Sequence, residues 1–221
     1  MTWNKVPLPD KCVELIGGYI NTNQDVNFTS DEFTIMVRCA FEDPFHNNFQ
    51  NIIYKSDNAW KLSYVYGRPY ALMKNSDGQT FANYLTTEIN FQTEDTGDIG
   101  KWHWFSVVYD GECMTGYYNN EVMNVVITAS GTPALISNNV LVGKYGTTDY
   151  VFIGKVSDVF IVDRAISVSE LNKIIYYETE PYDTLISLKN EDITADGWRD
   201  ATFVGNAIPK QRNSSGIYVE L

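Results

Sequence analysis

The chain has 221 residues, with 28 acidic against 16 basic side chains and a formal net charge of −12. That length allows one large domain or two small ones around a substantial core. The negative balance, with no Lys/Arg cluster to offset it, argues against nucleic acid and anionic membrane surfaces as partners. Aromatics make up 14% of the residues and charged side chains only 20%, so polarity rests on Asn, Ser, Thr and Tyr, a balance suited to strands and uncharged polar contact surfaces.

Residues 1–10, with Pro7 and Pro9, read as an extended arm. The run from Cys12 through VELIGGYINT is a strand broken at Gly17-Gly18, where a bulge or close backbone approach is expected. Phe33 to Phe41 alternates cleanly, placing Phe33, Ile35, Val37, Cys39 and Phe41 on one core-facing side. Glu42 to Asn51 reads as a loop carrying His46. Ile52 to Lys55 and Trp60 to Tyr66 are strands flanking a turn at Ser56-Asp57-Asn58. Tyr70 to Lys74 and Gln79 to Leu85 flank a second turn at Asn75-Ser76-Asp77-Gly78. Thr86 to Asp98 is acidic and loop-like.

Trp102 to Tyr109 and Met114 to Tyr118 form a hairpin across Asp110-Gly111. A tight turn at Asn119-Asn120 follows, and a third strand starts near Val122. Val125 to Thr128, Val140 to Lys144, Val151 to Val156 and Asp158 to Val162 continue the series. One helix interrupts it: Ser167 and Glu170 have capping-box spacing, Leu171, Ile174 and Ile175 recur at helical period, and Pro181 ends the run. Residues 182–221 return to strand character at Thr184 to Leu188 and Ile217 to Leu221. No linker or internal repeat marks a second domain. Short strands between turn signals predict an all-β fold, an antiparallel sandwich or barrel with one short helix.

Cys12, Cys39 and Cys113 are odd in number and lack CxxC spacing, so a disulfide framework is not indicated. No apolar leader follows Met1 and no run is long enough to span a bilayer; a reducing compartment of synthesis is expected.

Residues 12–178 resemble the concanavalin A-like jelly-roll domains of the laminin-G and pentraxin type. Three segments carry this: Val13 to Ile20; Lys101-Trp102-His103 through Val107 to Gly111 and on to Tyr117 to Glu121; and Phe152 to Val159 followed by Arg164-Ala165-Ile166-Ser167 and Glu170-Leu171. Asn120 stands where the family pattern prefers glycine. The resemblance implies a jelly-roll β-sandwich over 12–180; it does not explain the arm over 1–11 or the 181–221 extension, which is expected to pack on the sandwich or on a neighbouring subunit. It also implies a possible Ca²⁺ site at the loop rim, for which Asp25, Asp57, Asp95, Asp98 and Asp149 are candidates without a selecting pattern.

Some relatives with this fold are glucanases with paired carboxylates on one strand, about 5 Å apart. The E-x-D-x-x-E spacing is absent, and the acidic group Glu88, Glu94, Asp95 and Asp98 lies in a loop-like stretch. His103 beside two Trp reads as packing and His46 as solvated, so no catalytic residue is assigned. Sugar rings stack on aromatic faces while amides satisfy their hydroxyls. Trp60, Leu62, Tyr64 and Tyr66 share one parity, which is either core or a glycan platform completed by Tyr70, Asn83 and Tyr84. The expected function is a non-catalytic recognition or structural protein. One setting is a bacteriophage virion, as capsid decoration or fibre, docking on other virion proteins or copies of itself and binding glycans. The alternative is an extracellular soluble lectin, and a glycoside hydrolase comes third.

Overall fold

The computed structural model describes residues 7–43, 49–87, 99–144, 146, 150–177, 180–195, 197–199 and 201–221. Among them lie sixteen strands, one α-helix and one short 3₁₀ turn. The strands form two antiparallel sheets packed face to face, a jelly-roll sandwich. Residues Met1 to Val6, His46, Glu88, Glu94, Asp95, Asp98 and Asp149, named above, lie outside the described residues.

The first half alternates between the sheets. β1 (Lys11–Ile16) lies in one sheet and β2 (Tyr19–Asn21) in the other. The long β3 (Phe33–Phe41) returns to the first. Then β4 (Phe49–Tyr54), β5 (Trp60–Val65), β6 (Arg68–Lys74) and β7 (Thr80–Tyr84) run as a meander in the second. β8 (His103–Tyr109), β9 (Cys113–Tyr118) and β10 (Glu121–Thr128) form the aromatic hairpin and its third strand. β11 (Leu141–Val142) is shorter than its sequence suggested, and β12 (Ile153–Val162) follows.

After helix α1 (Val168–Tyr177) come β13 (Thr184–Leu188), β14 (Thr202–Val204), β15 (Ala207–Arg212) and β16 (Tyr218–Glu220). One sheet has the order β10-β9-β8-β3-β12-β1-β15-β16, with β13 beside β12; the other runs β14-β2-β11-β4-β5-β6-β7. The segment beyond the helix thus adds strands to both sheets, and β14 and β15 flank the same two strands, β2 and β1, that open the fold.

The alternation of β3 is realised as expected: Phe33, Ile35, Val37, Cys39 and Phe41 all sit in the core between the sheets. Phe41 is ringed by Tyr64, Phe105 and Phe152 at 4.5, 5.6 and 5.1 Å, geometries in which tilted and edge-on rings attract. β12 is one strand rather than the two expected. A bulge between Val156 and Asp158 reverses the side-chain parity, so Val156, Val159 and Ile161 all face the core. An extra residue in a strand has this effect, and it makes one strand look like two.

The other side of the nine-stranded sheet is also covered. Leu171, Ile174 and Ile175 of α1 pack on Met36, Trp104, Tyr117 and Phe160. Ser167 Oγ accepts the Glu170 amide at 3.3 Å, half of the expected capping box. Glu170 does not reach back to complete it. Its carboxylate is held by both terminal nitrogens of Arg164, a charge-assisted fork stronger than a neutral amide contact. Arg164 also stacks on Tyr182, 3.4 Å from the ring centroid. Further along, Cys12, Ala40, Trp102 and Tyr218 form a small cluster under the β15–β16 hairpin. Cys12 and Cys39 are buried free thiols, and burial pushes the Cys12 thiol up to about 12. Among the described residues no helix is long and apolar enough to cross a membrane.

Candidate functional site

The seven-stranded sheet turns one face to the core and the other outward. Directly opposed residues in an antiparallel pair share a face, so the register fixes which side chains line it. Leu62 and Tyr64 pair with Ala71 and Pro69, and Trp60 with Met73; Trp60, Leu62, Tyr64, Ala71 and Met73 belong to the core. Of the two readings of the Trp60 strand, the core reading holds. Trp60 and Tyr64 are each 1% exposed and cannot meet a ligand.

Tyr66 has their parity but lies beyond the strand and does not share their face. The strand ends at Val65, and Tyr66-Gly67 forms the hairpin turn with φ of 47° and 81°. Two positive φ values define the primed turn that matches strand twist, but a tyrosine in that region is uncommon. Tyr66 is 55% exposed, so packing does not explain its presence. Tyr66→Asn would install the preferred Asn-Gly turn and is expected to raise stability by about 0.5–1 kcal/mol in a urea titration. A fall would show that the tyrosine is held by contacts of its own.

The outward face has a different content. One row crosses four strands: Asn51 opposes Ser63, Ser63 opposes Tyr70, and Tyr70 opposes Tyr84. Phe49 and Val65 form the next pair. The rings make a continuous series, with Tyr150 5.5 Å from Phe49, Phe49 6.4 Å from Tyr70, and Tyr70 5.9 Å from Tyr84. Lys61 sits 4.8 Å over Phe49 and is paired with Asp57 at 2.7 Å. Arg68 lies over Tyr84 at 5.4 Å, and Lys144 over Tyr19 at 4.5 Å.

Between them, Ser63 donates to Asn51 Oδ1 at 2.6 Å. Asn51 Nδ2 is buried with no hydrogen-bond partner among the described residues. Burial, with Tyr84 and Asp57 nearby, holds the Tyr70 hydroxyl above the ordinary phenol range, so at neutral pH it is an O–H and not a phenolate. Among the described residues no helix or strand packs over this face.

Of the residues named from sequence, Tyr70 and Tyr84 therefore come together, while Trp60 and Tyr64 turn inward and Tyr66 caps the turn. Asn83 opposes the core residue Ala71, on the other parity, and stays exposed because β7 is an edge strand. Phe49 and Tyr150 complete the row in place of Trp60 and Tyr64. Phe49 fell in a stretch read as loop, where the bulge between Asn51 and Ile53 breaks the alternation.

None of the seven strands of this sheet contains an Asp or Glu, so the paired strand carboxylates of a glucanase are not present on them. His103 is buried, stacked on Tyr118 at 4.7 Å with its Nε2 3.1 Å from the Tyr118 hydroxyl, and so belongs to the packing. Each of the two described Ca²⁺ candidates is engaged by a lysine. The buried ammonium of Lys55 takes Asp25 and the Asn138 carbonyl, holding the Asp25 carboxyl below its ordinary range, and Lys61 takes Asp57. Among the described residues no group of three or more His, Cys, Asp or Glu converges as a metal site.

A family model described as the concanavalin A-like lectin/glucanases superfamily matches residues 16–172. No curated protein matches the sequence. Solved structures share the fold at low identity. A candidate carbohydrate binding protein from Bacteroides ovatus superposes with a TM-score of 0.62 at 14% identity, over 93% of this chain and 61% of its own. A heptameric SAP-like pentraxin from Limulus polyphemus gives 0.60 at 17%, over 92% and 95%. Domains LG4-5 of the mouse laminin alpha1 chain give 0.52 at 15%, over 74% and 44%. This chain thus spans less than two thirds of the first and third of these.

Proposed function

Since the chain belongs to the concanavalin A-like lectin/glucanase superfamily, we propose that it is a non-catalytic saccharide-binding module whose site is the outward face of the seven-stranded sheet. The observation that supports this most is the ring series Tyr150–Phe49–Tyr70–Tyr84 on a face that no described element covers. Aromatic faces offer apolar platforms to the C–H faces of sugar rings, and the half-buried Tyr70 supplies a hydroxyl among them, while Ser63 and Asn51 lie buried beneath the rings. The Bacteroides protein of the same fold, described as a candidate carbohydrate binder, is consistent with this use of the scaffold.

The reading is tested by a glycan array followed by titration of the hits. Tyr70→Ala is expected to weaken binding about tenfold, the worth of one lost ring contact, with the unfolding midpoint kept within a few degrees. Hits whose affinity is indifferent to Tyr70→Ala and Tyr84→Ala would place binding elsewhere. A setting in a bacteriophage particle, with docking through terminal arms, has less physical support. The C-terminal segment spends its strands on this chain's own two sheets, leaving fewer of them to reach a neighbour.

A further inference from the structure

We infer that the ligand of this face is an acidic oligosaccharide, its carboxylate or sulfate groups received by Arg68 and Lys144 at the two ends of the aromatic row. The inference rests on the saccharide reading above and adds the charge of the ligand to it. The chain as a whole carries −12, yet the seven strands hold no acidic residue and three basic ones, Lys61, Arg68 and Lys74. All three point outward, since Lys61 opposes Leu72, and Arg68 and Lys74 keep the parity of Tyr70. Folding therefore concentrates positive charge on one face of a negative protein, something the overall balance conceals.

The partners of these cations separate them. Lys61 is neutralised by Asp57, and Lys74 donates to the Asn58 side-chain oxygen at 3.2 Å. Arg68 and Lys144 each rest on a tyrosine ring, and neither has an ion pair among the described residues. The Arg68 Nε is buried and without a hydrogen-bond partner there. A guanidinium oriented on a ring with donors unspent is poised for a bidentate anion. Lys144 follows β11, and β11 and β6 are three strand spacings apart in the sheet, on the order of 14 Å. A monosaccharide cannot reach both cations, whereas an oligosaccharide laid across the strands can, its sugar rings over Phe49 and Tyr70 and its charges at the ends. A nucleic acid strand fits less well. It presents a charge at every nucleotide, and two separated cations on a strongly negative protein cannot balance that.

The test is calorimetric titration of the whole chain with a hexagalacturonate, a heparin-derived hexasaccharide, a neutral cello-hexaose and a single-stranded DNA oligomer, at low and high salt. At least one of the two acidic sugars is expected to bind, and to bind more weakly as salt rises. Whichever binds identifies the group as carboxylate or sulfate. Arg68→Gln is expected to weaken that binding at least tenfold and Lys144→Gln by a smaller factor, with unchanged circular dichroism in both. Neutral sugar binding with no response to acidic sugars would overturn the inference and leave the saccharide reading standing. So would acidic binding indifferent to both substitutions. DNA binding tighter than either acidic sugar would overturn both readings, as would no binding of any sugar.

Discussion

Replacing Arg38 by alanine is expected to destabilise the protein by about 3–5 kcal/mol, the cost of breaking a buried ion pair from one side. Arg38 lies on the outer side of β3 and is only 1% exposed. Its guanidinium donates to Asp158 at 3.3 Å, to the Pro7 carbonyl, and lies 6.0 Å from the Trp104 ring. Asp158 in turn accepts from Ser157 Oγ at 2.6 Å, and from the Asn190 amide and side chain at 2.9 and 3.1 Å. The pair therefore joins the N-terminal arm, both central strands and the segment after β13.

Removal of the guanidinium leaves the buried Asp158 carboxylate without its counter-charge. Arg38→Met with Asp158→Asn should recover part of the loss, because the side-chain oxygen can still accept from Asn190 and no net charge remains. Equilibrium urea unfolding of the single and double variants measures this. A single-variant loss below about 1 kcal/mol, typical of exposed pairs, would show that the site is hydrated rather than buried.

The fold was legible in the sequence where local chemistry and tertiary placement agree. β3 shows a strict alternation that the sandwich satisfies on its core side, and the Trp102–Tyr118 hairpin turns where Asp110 and Gly111 say it should. There Asp110 Oδ1 accepts the amides of Glu112 and Cys113 at 3.0 and 2.8 Å, and Gly111 takes φ of 92°. Legibility fails where the deciding information is register. Whether the aromatic parity of β5 is core or surface depends on which sheet packs against it, and no local pattern carries that. The site row draws Phe49, Tyr70, Tyr84 and Tyr150 from four stretches, each unremarkable alone.

One signal was nonetheless available. Residues 58–87 contain a single acid, Asp77, against Lys61, Arg68 and Lys74, an inversion of the chain's overall balance over thirty positions. The strand β15 was hidden for another reason, since Pro209 argues against a strand. Its carbonyl accepts the Leu221 amide at 3.1 Å, so the edge lacking a Pro209 N–H is the one where β16 runs out.

Gly18→Ala should cost about 3 kcal/mol, the upper end for a residue forced into filled space, and more than Gly17→Ala. The two glycines form the corner at which the chain leaves β1 for β2. The C-terminal segment makes the reverse crossing at Gly205-Asn206, from β14 beside β2 to β15 beside β1. The corners stack: a Cβ on Gly18 would lie 2.3 Å from the Ala207 nitrogen and 2.4 Å from the Asn206 carbonyl carbon. Those atoms are backbone, tied on one side by the Ile16 amide donating to Asn206 at 3.3 Å, and cannot yield as a side-chain tip would. Gly17 faces open space, and its φ of 81° alone opposes a side chain, a penalty of about 1–2 kcal/mol.

The neighbouring pair thus separates steric from conformational cost at one corner. Thermal unfolding of both variants should rank Gly18→Ala well below Gly17→Ala and both below the parent. Equal losses would mean that the C-terminal crossing does not press on the first. The sheets would then owe their closure to β13 and the helix rather than to the stacked corners.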